Sequence, residues 1–177
     1  MASPRISGFW TRASALVLLT TAAVGCNYGF RGGGGLPDNI RTIYIAPFGN
    51  ETEKPELDPQ LFRELNERLP RALGLRLAPE RTADLVVSGR IVRYDEVASN
   101  YRPGQGQQAT IDVEQQQVSI SITIQLLDVK ENLIRYESTS LVGRGEYKPN
   151  SQTDEVARRT AIQQIIQQIV DGAQSQW

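Results

Sequence analysis

Gln117-Val118-Ser119-Ile120-Ser121-Ile122-Thr123-Ile124-Gln125-Leu126 alternates without a break. Val118, Ile120, Ile122, Ile124 and Leu126 point one way, and Gln117, Ser119, Ser121, Thr123 and Gln125 the other. Strict period two is the signature of a β-strand with one covered face, because successive side chains leave a pleated backbone on opposite sides. The pattern extends over Val113 to Asp128, which at about 3.4 Å per residue reaches roughly 50 Å, longer than the usual strand. An apolar row of that length needs a layer of helices to cover it.

Working outward, Lys130-Glu131-Asn132 marks a turn, and Leu133 to Glu146 returns as a further strand. Upstream, Leu85 to Tyr94 begins another. Arg41-Thr42-Ile43-Tyr44-Ile45-Ala46-Pro47-Phe48 is β-branched and aromatic and stops at a proline, tolerated only at a strand's end or edge. Asp58-Pro59 reads as a helix start, with Asp58 free to cap backbone N–H groups. Leu61, Leu65, Leu69 and Leu73 then recur every four residues, so a helix is predicted over about 59–73, with Pro70 kinking or shortening it. Val156 to Val170 is a second amphipathic helix. It carries Ile162, Ile165, Ile166, Ile169 and Val170 on one side and Gln163, Gln164, Gln167 and Gln168 on the other. The order β-α-β-β-β-α predicts an α+β fold, a two-layer sandwich with two helices packed on one face of a four-stranded mixed sheet. A right-handed crossover makes the first two strands parallel, and the later strands form a meander.

The chain has 177 residues, 19 Lys and Arg against 20 Asp and Glu, no histidine and one cysteine, Cys26. Histidine-based hydrolysis and histidine zinc sites are therefore excluded, as are internal disulfides and thiolate clusters, and no metal or other cofactor is expected. Asp84, Asp95, Glu96, Asp112 and Glu114 supply carboxylates, but no spacing assigns an acid/base pair. Gly32–Gly35 lacks the Lys-Ser/Thr of a phosphate loop. The protein is accordingly not expected to be an enzyme. A pI near 5.6 leaves no global basic field for nucleic acid.

Arg5 and Arg12 precede the uncharged stretch Ala13 to Val24, which at 1.5 Å per residue is too short to span a bilayer of roughly 30 Å. Basic, apolar and small-residue regions in that order make residues 1–25 a signal peptide. Ala23-Val24-Gly25-Cys26 resembles a bacterial lipobox, whose cysteine is acylated and becomes the new N-terminus. Two or three acyl chains on Cys26 would hold the protein on a membrane. Asn27, not Asp, follows the cysteine, which in enterobacteria-like sorting implies the outer membrane. Residues 26–39, with four consecutive glycines, read as the acylated cysteine and a flexible tether. Residues 40–173 form one domain and 174–177 a C-terminal tail.

Cys26-Asn27-Tyr28-Gly29-Phe30-Arg31-Gly32, then Leu36-Pro37-Asp38-Asn39-Ile40 running into Arg41–Phe48, and later Ala83-Asp84-Leu85-Val86-Val87-Ser88-Gly89-Arg90-Ile91 together resemble the lipopolysaccharide-assembly lipoprotein family LptE. The resemblance implies a non-enzymatic lipoprotein, anchored on the periplasmic side of the outer membrane. Such a protein plugs an LptD-type β-barrel one-to-one and assists its assembly, while lipopolysaccharide passes to the cell surface. The polar row Gln117, Ser119, Ser121, Thr123 and Gln125 would suit the polar lumen of a wide barrel.

In the expected strand order, the loop after the first strand, the loop around Asn100–Gln108 and the loop before the last helix share one end. That end holds Arg93, Tyr101, Arg102 and Lys148, candidates for contact with lipid A phosphates, while Lys130 and Arg135 lie at the other. Arg102 leads among them, because Asn100–Gln108 is a long polar loop near a strand tip. Ile45-Ala46-Pro47-Phe48-Gly49-Asn50 is also similar to the strand-Pro-Phe-x-Asn signature of curli-secretion and TolB N-terminal domains. That likeness implies instead a scaffold lipoprotein that forms oligomers or binds periplasmic partners.

Overall fold

The alternating row becomes the centre of a sheet in the computed structural model, which describes residues 36–37, 39–103 and 111–175. In chain order these form β1 (Thr42–Ile45), β2 (Gly49–Asn50), α1 (Leu57–Leu73), β3 (Arg76–Leu77), a 3₁₀ turn (Glu80–Thr82), β4 (Leu85–Pro103), β5 (Ile111–Asp128), β6 (Leu133–Tyr147) and α2 (Asp154–Ser175). The sheet runs β3-β1-β4-β5-β6, with β2 added to β4 beyond the end of β1. Strands β1, β2 and β3 pair in parallel with their neighbours, while β4, β5 and β6 form the antiparallel meander. The α+β class, the mixed sheet and the two helices are those expected. The sheet has six strands and not four, because β2 and β3 contribute two residues each, too few for any alternation to show.

Burial follows the sequence pattern closely. Val118, Ile120, Ile122, Ile124 and Leu126 of β5 are buried against Ile162, Ile165, Ile166 and Ile169 of α2 and the leucine stripe of α1. Helix α2 lies unusually close to β6. A Cβ on Gly143 or Gly145 would come 2.0 Å from the carbonyl oxygen of Ala161 or Ala157, so small residues on both elements set the distance between the layers. Gly89 does similar service for Phe48, whose ring fills the space a side chain there would need. Phe48 of the Pro-Phe-x-Asn stretch is thus structural. Asn50 completes it by accepting from the Thr52 N–H (3.0 Å) and donating to the Lys54 carbonyl (2.9 Å), which shapes the loop ahead of α1.

Helix α1 begins at Leu57, after Glu56, and no side chain caps it. Asp58 therefore sits inside the first turn, where its charge suits the helix dipole, and is not the cap. Pro70 neither shortens nor ends the helix. Only the final turn follows it, and Gly74, with φ 69°, closes a Schellman-type end in which the Leu75 N–H reaches the Pro70 carbonyl (2.8 Å). Helix α2 extends past both expected ends.

Strand β4 brings the largest departure. It continues to Pro103, with Asn100, Tyr101, Arg102 and Pro103 paired to Gln115, Val113, Asp112 and Ile111. Residues 100–103 are therefore strand and not loop; the remainder of the expected loop, 104–108, lies outside the described residues. Strand β6 stops at Tyr147, level with Gln116 and Ala98, so beyond that line β4 and β5 continue as a two-stranded ribbon.

Candidate functional site: the open face of the sheet

Both helices cover one side of the sheet, which leaves the other side open along β4, β5 and β6. Gln117, Ser119, Ser121, Thr123 and Gln125 form its central row, each half-buried, over about 27 Å at 3.4 Å per residue. All five expected positions share one face. The row is uncharged, but its flanks are not. In register with it stand Arg90, Arg93 and Asp95 on β4, and Glu137, Arg144 and Glu146 on β6, all exposed. Gln117 Nε2 donates to Glu146 Oε1 at 3.3 Å. The open face is thus an uncharged stripe one strand wide between two bands of mixed charge.

A shallow depression of about 340 Å³ crosses this face towards its β5–β6 turn end, lined among others by Ser88, Arg90, Thr123, Gln125, Glu137 and Thr139. Bulges frame it. Register slips between Ile91 and Arg93 on β4, and opposite Ile122 and Ile124 on β6, place extra residues in both flanking strands against the central one. The depression presents hydroxyls, an amide, one guanidinium and one carboxylate. It can hold a polar ligand by hydrogen bonds, and among the described residues no group of three or more metal-ligating side chains could hold a metal ion.

The four expected phosphate-contact residues do not gather. Arg93 is exposed, but it stands opposite Ser121 in mid-sheet and not at the strand tip. Arg102 is nine residues further along β4, about 30 Å away, and paired with Asp112; Tyr101 is paired with Val113. The side chains of Tyr101 and Arg102 lie outside what the structure describes. Lys148 is exposed just past β6, in a turn where its N–H donates to Gln152 Oε1 (3.1 Å). The ends of β1, β4 and β6 that lead into the three loops point the same way, yet the staggered strand lengths separate them. Lys130 and Arg135 do share the other end, each in an ion pair, Lys130 with Asp84 (2.6 Å) and Arg135 with buried Asp128 (2.7 Å).

On the covered side, where the ribbon begins, a polar cluster joins both helices to the sheet. The Tyr147 hydroxyl lies against the Glu96 and Gln116 side chains. Buried Arg158 meets Asp154, Gln60 Oε1 (3.2 Å) and Glu56 Oε1 (3.3 Å). Burial, then the nearby Glu96 charge, pushes the Tyr94 hydroxyl up to about 12. Burial and its bond to Glu96 raise Tyr147 further, so both phenols stay neutral and act as donors. No spacing or motif marks this cluster in the sequence, because its members come from five elements.

Half the glutamine face of α2 proves to be structural. Gln164 Oε1 accepts from the Arg144 N–H (2.9 Å), and Gln168 Nε2 donates to the Val142 carbonyl (2.9 Å). These amides supply the hydrogen bonds that a neighbouring strand would otherwise give to the free edge of β6.

Helices on one face and an open, hydrogen-bonding sheet on the other define an α+β domain of the two-layer class. The family model described as LptE, lipopolysaccharide-assembly, matches residues 40–175. The chain belongs to that family. Among solved structures, the hypothetical protein CT253 from Chlamydia trachomatis is similar in fold, with 12% identity and a TM-score of 0.51 over 77% of this chain and 99% of that one. The lipoprotein GNA1162 from Neisseria meningitidis gives 11% identity and a TM-score of 0.43, covering 74% and 99%. A PelC dodecamer from Paraburkholderia phytofirmans gives 15% and 0.45, covering 76% and 92%. No curated protein matches the chain.

Proposed function

We propose that this protein is an acylated outer-membrane lipoprotein, anchored through Cys26 on the periplasmic side, that sits one-to-one inside an LptD-type β-barrel and assists its assembly while lipopolysaccharide passes through. Residues 1–25 are the signal peptide, 26–39 the anchor and tether, 40–173 the domain and 174–177 the tail. Its work is binding and not catalysis.

Membership of the lipopolysaccharide-assembly family gives the setting. The observation that carries the reading is the uncharged central row of the open face. Seating charges against another surface costs desolvation, whereas hydroxyls and amides exchange water for new partners at little net loss. A row of Ser, Thr and Gln therefore suits contact with the polar wall of a barrel, and the charged flanks set orientation. For lipopolysaccharide, Arg93 on the open face and Arg102 and Lys148 towards the ribbon are separate phosphate contacts spread along the sheet, with Tyr101 beside Arg102.

The test is isolation of the C-terminally tagged protein from outer membranes in mild detergent, followed by size exclusion and mass spectrometry. A large β-barrel should co-elute at one copy per copy of this chain. A homo-oligomer without a barrel would instead establish the scaffold reading.

A further inference from the structure

We propose that, before the domain enters its barrel, the end formed by the turn between β5 and β6 rests on the bilayer that holds the acyl chains of Cys26, with Val129, Leu133 and Ile134 in the lipid interface. The inference rests on the reading of Cys26 as the anchor and adds to it an orientation.

Three observations converge. Val129, Leu133 and Ile134 are 47%, 48% and 47% exposed around a single turn. They form a knuckle at the tip of the turn, with Leu133 and Ile134 on opposite faces of β6, whereas Val97, 53% exposed towards the other end, stands alone on the open face opposite Gln117. Isolated apolar residues are ordinary on a protein surface, but a group of them at a protruding tip marks a site of contact.

The second observation is where the tether joins. The register Ile43↔Leu85, Leu85↔Asp128, Asp128↔Leu133 places the start of β1 level with this turn. The 14 residues 26–39, read as a flexible tether, would have a root-mean-square reach of about 20 Å. The tip of the β4–β5 ribbon lies at the far end of a 19-residue strand, roughly 60 Å away. A domain held by so short a tether meets the membrane with the knuckle and not with the ribbon.

The third is charge. The exposed Arg71, Arg76, Arg81 and Lys130 lie around this end against two exposed acids, Glu80 and Glu131, in a chain whose formal net charge is −1. Cations beside an apolar tip suit anionic headgroups around an inserted wedge.

The test uses the full acylated chain in vesicles of phosphatidylethanolamine and phosphatidylglycerol, with a fluorophore on Leu133→Cys or Val97→Cys; Cys26 is blocked by its lipid. Labels at Val129→Cys and Ile134→Cys repeat the measurement should one site perturb the fold. Spin-labelled lipid should quench the label at 133 several-fold more than that at 97. Vesicle-bound protein quenched equally at both positions, or at neither, overturns the inference and leaves the anchor intact, pointing to another protein or a second copy as the occupant. Protein that fails to float with the vesicles and carries no acyl mass on Cys26 overturns the anchor reading and this inference together.

Discussion

Asp84 accepts hydrogen bonds from the Arg41 N–H (2.9 Å), the Thr42 N–H (3.0 Å) and the Thr42 hydroxyl (2.8 Å), and Thr42 Oγ1 in turn accepts from the Asp84 N–H (2.9 Å). One carboxylate thus ties the start of β1 to the start of β4. Lys130, the Arg41 N–H and Thr42 together hold its pKa well below the usual carboxylate range despite burial. A depressed folded-state value means that the contribution is complete above the unfolded pKa, about 3.9, and is lost as pH falls below it. Asp84→Asn should therefore lower the melting temperature at neutral pH and flatten its decline in acid, read from melting curves between neutral pH and pH 2. Gly145 makes a different prediction. Its replacement by Ala drives a methyl into the Ala157 carbonyl, and overpacking of that kind costs about 1–3 kcal/mol or more, measurable by urea unfolding.

At the scale of the element, β5 was readable because nothing interrupts its alternation, and its five outward residues fall on one face as their spacing required. Strand β4 was not, because the slip between Ile91 and Arg93 reverses its parity; Leu85, Val87 and Ile91 point inward, and after the bulge Arg93 points outward with Asp95. No residue in Ile91-Val92-Arg93 announces that slip. The length of β4 was hidden for a related reason, since Asn100, Arg102 and Pro103 have loop composition and are held in a strand only by pairing with β5. The edge-covering role of Gln164 and Gln168 was equally hidden, because it depends on which strand α2 overlies. Replacing both by Leu should cost roughly 1–3 kcal/mol, since each hydrogen bond contributes about 1. It should also uncover the β6 edge, so that the variant self-associates on sedimentation where the wild-type domain does not.

For the whole molecule, the open face separates binding from stability. Ser121→Lys places a charge in the middle of the uncharged row without touching the buried side of β5, and substitutions of this kind usually change stability by no more than about 0.5 kcal/mol. The variant should melt as wild type does yet lose most of the co-isolated barrel; a full complement of barrel on Ser121→Lys would remove the central row from the interface. What the sequence could not convey at this scale is the stagger of the strands, which spreads Arg93, Lys148 and Arg102 along the sheet where a simple strand order put them together.

The bond network between Asp84 and Thr42 bridges 42 positions of chain, whereas β4, β5 and β6 are neighbours in sequence. Closing a long loop costs more conformational entropy than closing a short one, and non-local pairs form late. The meander therefore has the means to assemble first, and β1 docks onto a finished edge. A chain that emerges N-terminus first consequently exposes Ile43 and Ile45 with no strand to receive them until β4 has followed.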